Sequence, residues 1–157
     1  MNLYQDSGFW KDQRGGVIVM VVLFLPVAIL SLGMVADLGM LFVSRKIVQS
    51  ACDLGALAGC QELDWELLAI GELVLSEERG RAAAIEMAFN NLRDLRNGIK
   101  DVTLNAQVSN DAGQGPRLLL EAEFKIQTVF IRYLPGCGDG FPCSVISEAA
   151  VLERQQW

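Results

Sequence analysis

The stretch GGVIVMVVLFLPVAILSLGMVADLGMLFV, from Gly15 to Val43, decides the fold of this chain. Its residues from Gly15 to Ala36 include no charged side chain. As a helix with a rise of about 1.5 Å per residue, that uncharged run is roughly 33 Å long, and the hydrocarbon core of a bilayer is about 30 Å thick. The stretch therefore predicts a membrane-spanning helix.

Two other interpretations of this stretch are weaker. A secretory signal peptide has an apolar core of only about 7–15 residues and ends at a small-residue cleavage site, whereas Ser31, Leu32 and Gly33 lie inside the apolar run. A helix buried in a soluble protein carries a polar stripe, and this one has none before Asp37. We therefore expect a retained anchor.

Charge is distributed unevenly along the chain. Residues 1–46 hold four basic and three acidic side chains, which leaves a net charge of −7 on residues 47–157 of a chain whose total is −6. Seven acids and no base stand between Lys46 and Arg79. Such a surface repels nucleic acid, so we expect no nucleic-acid partner.

The four cysteines predict one disulfide. Cys137 and Cys143 bracket the tight loop CGDGFPC, whose geometry favours a disulfide between them. Cys52 and Cys60 are eight residues apart, so on one helix they are separated by roughly 12 Å, beyond the reach of a disulfide. A disulfide implies an oxidising compartment, which places the C-terminal domain outside the cytoplasm.

The flanks of the apolar run bear on its orientation. Lys11 and Arg14 in the N-terminal tail, residues 1–14, favour a cytoplasmic N-terminus. Arg45 and Lys46 stand just beyond the other end, so the flanks alone do not decide. Together with the cysteine loop, they predict a single-pass anchor with the tail in the cytoplasm.

Helical character continues past the membrane, because small and apolar residues recur at three-to-four spacing from Val43 to Cys60. We expect one helix over residues 15–60, about 65 Å long. Pro26 lacks an N–H and predicts a kink within the span. Asp37 falls at the outer boundary of the hydrocarbon, where it is either solvated or paired with a basic residue of a neighbouring helix.

Residues 61–157 predict an α+β domain on the far side of the membrane. Leu63 to Leu75 indicates a turn and a short amphipathic piece, and Ser76 begins a helix that ends at Asn97-Gly98. The predicted buried face of that helix comprises Ile85, Ala88, Phe89, Leu92 and Leu95.

Alternating side chains then predict strands. Val102 to Val108 and Leu118 to Ile126 flank a turn at Asn110 to Pro116, as in a β-hairpin, and Ser144 to Leu152 indicates a third strand. The predicted fold is α+β: a long N-terminal transmembrane helix packed on a small antiparallel β-sheet, with one additional helix.

Enzyme chemistry finds little support. The chain has no histidine, so Ser-His and Cys-His nucleophilic catalysis are excluded in their usual form. Glu121 and Glu123 share a strand face, which is better explained as a solvated surface than as an acid–base pair. The cysteine spacings do not fit a zinc site, and no phosphate-binding glycine motif occurs. We expect no enzymatic activity, no cofactor and no metal.

A series of landmarks between residues 14 and 60 resembles a known family. They are Arg14-Gly15-Gly16, Leu25-Pro26, the block from Gly33 to Gly39 with Asp37 at its centre, Arg45, and the segment from Val48 to Gly59. In this order they resemble the N-terminal signature of the TadG-like proteins, which belong with the TadE-like minor pilins of the tight-adherence (Flp) pilus assembly machinery.

The chain also departs from that pattern. Val48 stands where the family usually has Leu, Cys52 and Cys60 where it usually has Ala, and Gly55 replaces another Ala. A prepilin-type leader would require a Glu five residues after the cleaved glycine. That position is Gln13 or Met20, so we expect the leader to be retained. The chain is also a short form for a TadG-like protein.

The resemblance implies a non-enzymatic, pilin-like subunit that assembles through its N-terminal helix into or onto a Tad/Flp-type pilus or related filament. The alternative is a single-pass accessory protein of the same machinery that does not polymerise. The implied partners are other pilin-like subunits or copies of the chain, the lipid bilayer and the Tad-type machinery, at the bacterial inner membrane or on a surface filament. The implied assembly residues are Pro26, Gly33, Asp37, Gly39, Arg45, Gln49 and Asp53. Crosslinking between neighbours through Cys52 is expected to be frequent in a filament and rare in a lone anchor.

Overall fold

The computed structural model describes residues 13–93, 98–111, 115–133, 138 and 140–151. The elements in chain order are α1 (Gln13–Gly59), α2 (Trp65–Ala69), α3 (Glu77–Arg93), β1 (Ile99–Asp111), β2 (Gly115–Ile126), a 3₁₀ turn (Ile131–Tyr133) and β3 (Phe141–Ala150). Strand β2 lies between β1 and β3, and both pairings are antiparallel. The predicted α+β fold with a long N-terminal helix and a small antiparallel sheet is confirmed.

Helix α1 is one element of 47 residues, about 70 Å long. Pro26 lies inside it. The predicted continuation beyond Val43 is confirmed, and it follows from the small and apolar residues that recur there at helical spacing. The helix thus joins the apolar N-terminal segment to the α+β domain without a linker.

Helix α3 packs through small residues against the C-terminal half of α1, which we call its upper half. A Cβ added at Gly55 would lie 2.6 Å from the carbonyl oxygen of Ala84, and one added at Gly59 would lie 2.6 Å from that of Gly80. Since residues before Gly59 on α1 meet residues after Gly80 on α3, the two helices run antiparallel. Glycine at these positions lets the two backbones approach closely.

The predicted buried face of α3 is partly wrong. Its buried residues are Gly80, Ala84, Ala88 and Leu92. Ile85 and Phe89 are 37% and 45% exposed, and Leu95 lies outside the described residues. The reason is the close approach of α1, which selects the four-residue row of small side chains and leaves the larger ones beside it.

The strand predictions hold in their essentials. The hairpin of β1 and β2 pairs Leu104 with Ala122, and the predicted inward side chains of β2 are buried. Strand β3 begins at Phe141, three residues before the predicted Ser144, because its pairing with β2 continues to Ile126. The register of β1 shifts between Lys100 and Thr103.

The hydrophobic core lies between one face of the sheet and the two long helices. Its largest fully buried side chains include Val48 of α1, Leu92 of α3 and the β2 residues Leu118, Leu120 and Ile126. Burying such side chains contributes roughly 1.5–3 kcal/mol each. The opposite face of β2 carries Glu121, Glu123 and other side chains that remain at least partly exposed, as predicted for a strand with one buried face.

Candidate functional site

The lower part of α1 is an apolar helix that the α+β domain leaves uncovered. Every large apolar side chain from Val17 to Leu38 is between 47% and 70% exposed. The helix is long and apolar enough to cross a membrane. Because exposed apolar area on this scale is rare on soluble monomers, this part of α1 requires lipid or other helices around it.

One face of α1 nevertheless runs unbroken from this exposed part into the core. We call it the inner stripe: Gly33, Asp37, Leu41, Ser44, Val48, Cys52, Gly55 and Gly59, all buried or half-buried. Steps of three and four residues keep these positions on one side of a helix. The α+β domain therefore covers α1 down to Gly33.

Asp37 is held by the connection between β2 and β3. Its carboxylate oxygens accept hydrogen bonds from the backbone amides of Val129 at 2.9 Å, Phe130 at 2.7 Å and Ile131 at 2.7 Å. The side chain is only 1% exposed. We call this arrangement the clasp; hydrogen bonds from three N–H groups supply the partners that a buried carboxylate needs.

The clasp corrects one of the two predicted environments of Asp37. The carboxylate is not solvated, because it is buried and accepts its hydrogen bonds from the same chain. Pairing with a basic residue of a neighbouring helix stays a prediction. The sequence does not reveal which segment supplies the hydrogen bonds, since Val129 is 92 residues from Asp37. The sign of a buried role in the sequence is that a single acid, Asp37, directly follows an uncharged run of 22 residues.

Gly33 lies one turn below Asp37 and receives the ring of Phe130. A Cβ added at Gly33 would lie 2.7 Å from Phe130 Cγ, closer than real Cβ contacts come. The absence of a side chain at Gly33 therefore lets the aromatic ring approach the helix backbone. Phe130 is thus fixed by the backbone hydrogen bond to Asp37 and by the packing of its ring on Gly33.

Two further predicted assembly residues contact the chain's own sheet. Gln49 Nε2 donates to Asp53 Oδ1 at 2.9 Å and to the carbonyl oxygen of Ile146 on β3 at 3.3 Å. Ser147 Oγ donates to the same Asp53 oxygen at 2.7 Å. Gln49 and Asp53 therefore tie α1 to β3.

The other three predicted assembly residues, Pro26, Gly39 and Arg45, are exposed. A Cβ added at Gly39 would meet no described atom within 4 Å. Arg45 is near enough to β3 for its charge to act on the Cys143 thiol. Four of the predicted residues thus have hydrogen bonds or close packing inside the chain, and these three are exposed.

The cysteine predictions fare less well. Cys143 is a free thiol and Cys137 lies outside the described residues, so the predicted disulfide between them has no support in the structure. Burial raises the pKa of the Cys143 thiol, and the positive charge of Arg45 partly opposes that shift. Cys52 is also free and is fully buried, so it cannot crosslink neighbouring subunits in this conformation.

Comparison with known families agrees with the landmarks on α1. Residues 15–76 match the Tad family model, described as putative Flp pilus-assembly TadE/G-like. The match covers α1 from Gly15 onward, α2 and the approach to α3, which is less than half of the chain. Comparisons with curated proteins and with solved structures give no match.

Proposed function

We propose that the chain is a pilin-like subunit. The match of residues 15–76 to the TadE/G-like pilus-assembly model and the apolar N-terminal helix, which is long enough to cross a membrane, support this proposal. The subunit would assemble through α1 into or onto a Tad/Flp-type filament. The family is one of structural and assembly proteins, which fits our expectation that the chain is not an enzyme. The proposed partners are copies of this chain or other pilin-like subunits, together with the assembly machinery.

The observation that carries the proposal is the exposure of α1 below Gly33. Lipid and the apolar face of another helix are equally suitable surroundings for such side chains. One sequence can therefore serve a subunit stored in the membrane and the same subunit packed among others. Pro26, Gly39 and Arg45, the predicted assembly residues that are exposed, are the ones we assign to contacts between subunits.

The direct connection of α1 to the α+β domain also supports this role. The upper half of α1 belongs to the hydrophobic core through Val48, Cys52 and Ala56. The domain therefore follows the helix as one body, and contacts between helices would fix the positions of the domains around them.

For orientation we propose a cytoplasmic N-terminus and an α+β domain outside the cytoplasm, at the bacterial inner membrane. Lys11 and Arg14 favour this arrangement, and a match to a pilus-assembly family fits it. The predicted disulfide does not support it, because Cys143 is a free thiol.

A second function, that of an anchored accessory protein that does not polymerise, is favoured by the clasp. The β2–β3 connection occupies one face of α1 at Gly33 and Asp37. Neighbouring helices could approach only the remaining faces at that level. A subunit with a restricted set of faces suits a small complex as well as it suits a filament.

The deciding experiment is electron microscopy of the purified protein and of sheared cell-surface material, with mass spectrometry of the N-terminus. Filaments that contain the chain would establish the pilin function, and a start at or near Met1 would show that the leader is retained. Small complexes confined to the membrane fraction would instead establish the accessory role.

A crosslinking pair adds a test of helix packing. Leu32 is 70% exposed and Cys52 is fully buried, so the variant Leu32→Cys places a thiol on the outer surface of α1. We expect oxidative dimers of Leu32→Cys in assembled material and none through Cys52 in the wild-type chain. Monomers alone from Leu32→Cys at every oxidant concentration would argue against packing of the helices at this level.

A further inference from the structure

The connection that forms the clasp lies at a defined depth in the membrane. Gly33 is about 27 Å and Asp37 about 33 Å along the helix axis from Gly15, and a hydrocarbon core is about 30 Å thick. A typical tilt of about 20° shortens these heights by only one or two ångströms. The segment that packs on Gly33 and Asp37 is therefore level with the edge of the hydrocarbon.

That segment, Val129–Tyr133, which we call the foot, exposes apolar and aromatic side chains. Val129 is 53% exposed, Phe130 37% and Tyr133 75%. The Arg132 guanidinium lies over the Tyr133 ring at 4.9 Å from its centroid and donates to the Tyr133 hydroxyl at 2.8 Å. Aromatic rings with a polar end, flanked by a basic side chain, are characteristic of the membrane–water interface.

Four of the five backbone N–H groups of the foot have hydrogen-bond partners within the chain, which suits an environment of low dielectric constant. The N–H groups of Val129, Phe130 and Ile131 donate to Asp37, and that of Tyr133 donates to the carbonyl oxygen of Phe130 at 3.1 Å. An unpaired backbone N–H would cost several kcal/mol in hydrocarbon. Asp37 removes that cost for three donors, and the donors in turn compensate its charge.

We propose that the foot is a second membrane contact of this chain, inserted between the headgroups and upper acyl chains of the leaflet on the side of the α+β domain. The occupant of this apolar surface is lipid, because the foot continues the apolar surface of α1 at the depth where that helix leaves the bilayer. The proposal rests on membrane anchoring through α1. It does not depend on whether the chain polymerises.

A consequence is that the domain is attached to the membrane at two points. If α1 were the only attachment, the orientation of the α+β domain relative to the membrane would change with the tilt of α1. With Phe130 and Tyr133 in the interface, the side of the domain that carries the β2–β3 connection faces the lipid.

The test uses tryptophan fluorescence of the full chain in phosphatidylcholine vesicles whose acyl chains carry bromine atoms near the headgroup. In the probe variant, Trp10, Trp65 and Trp157 are replaced by Phe and Tyr133 by Trp. Tyr133 is mostly exposed, so the substitution is expected to preserve the fold. In the control variant, Trp65 is retained as the single tryptophan and Tyr133 is unchanged.

We expect the brominated lipid to quench the Tyr133→Trp probe severalfold more than the Trp65 control, independently of the protein-to-lipid ratio. Trp65 follows Gly59, the last residue of α1, in the chain. Gly59 is about 39 Å along the helix axis from Gly33. Equal, weak quenching of the two would overturn the proposal. Quenching of the probe that disappears as the protein-to-lipid ratio rises would also overturn it, because the foot would then be a surface for a second copy.

Discussion

The two halves of α1 are built from similar side chains but have different neighbours. Below Gly33 the helix is apolar on all sides and its large side chains are exposed. Above Ser44 one face is buried against α3 and the sheet by small residues such as Ala51 and Gly55. The upper half therefore depends on side-chain size at each buried position, whereas the lower half depends on apolar character alone.

Gly33 and Asp37 lie between these halves and have properties of both. They are on the inner stripe, so the chain covers them, and the proposed membrane placement puts them at the edge of the hydrocarbon. The comparison predicts that sensitivity to substitution falls from the upper half, through the boundary, to the lower half.

The largest effect is expected in the upper half at Gly59. The added Cβ in Gly59→Ala would lie 2.6 Å from the Gly80 carbonyl oxygen, and a backbone atom cannot move without separating α1 from α3. We expect a loss of about 3 kcal/mol in the free energy of unfolding, the upper part of the usual range for overpacking. Denaturant unfolding in detergent micelles measures it, followed by the fluorescence of Trp65 in a full-length background in which Trp10 and Trp157 are replaced by Phe.

Gly39→Ala is the matched control, because it makes the same change on the same helix where the Cβ meets no described atom. Its unfolding free energy should stay unchanged or rise by up to about 1 kcal/mol through helix propensity. Equal losses at Gly39 and Gly59 would refute the dependence of the buried positions on side-chain size.

The next largest effect is expected at the boundary. Asp37→Ala removes the acceptor of three amides, so hydrogen exchange at Val129, Phe130 and Ile131 should accelerate about 30-fold, equivalent to roughly 2 kcal/mol of local stability. Amide exchange measured by NMR or mass spectrometry reports it. As predicted from the sequence, we also expect membrane insertion to persist and assembly to be impaired.

Asp53→Ala is the control for this prediction. Asp53 accepts side-chain hydrogen bonds from Gln49 and Ser147 and none from the foot, so its loss should leave exchange at residues 129–131 unchanged. Unaltered exchange in Asp37→Ala would show that the clasp does not hold the foot in solution.

A smaller effect is expected from the packing of Phe130 on Gly33. Gly33→Ala should destabilise the wild-type chain, because the new Cβ meets the ring at 2.7 Å. In a Phe130→Ala background the same change should cost nothing. A double-mutant cycle in micelles is expected to give a coupling of about 1 kcal/mol, and a coupling of zero would show that Gly33 and Phe130 do not interact.

The smallest effect is expected in the lower half. Pro26 is surrounded by exposed apolar side chains on α1, so Pro26→Ala should change the unfolding free energy of the α+β domain by less than about 0.5 kcal/mol. The measurement is the same denaturant titration in micelles. A loss as large as that of Gly59→Ala would show that the lower half is coupled to the core.

Local patterns explain which features were predictable from the sequence. Long apolar runs and alternating strands are periodic, so α1, the hairpin and the buried face of β2 followed from spacing alone. The start of α3 followed from Ser76 and the two acids after it. None of these depends on a distant partner.

The features that escaped prediction are set by contacts distant in sequence. The buried face of α3 was predicted only in part. The glycines of α1 determine which side chains of α3 are buried, and the spacing of the large apolar side chains on α3 does not. The hydrogen-bond partners of Asp37 follow β2, so the spacing of residues near Asp37 does not reveal that the chain itself buries this carboxylate. The short loop between Cys137 and Cys143 allows a disulfide, but loop length alone does not determine whether the two thiols are brought together.

The clasp also sets an order of events during biosynthesis. A chain is made from its N-terminus, so Asp37 reaches the membrane before residues 129–131 exist. Until the sheet has formed, the carboxylate has no amide partners; in the folded chain three amides compensate its charge. In the proposed pilin-like role, the transfer of α1 from lipid to the helices of neighbouring subunits is therefore expected to proceed most readily after the α+β domain has folded.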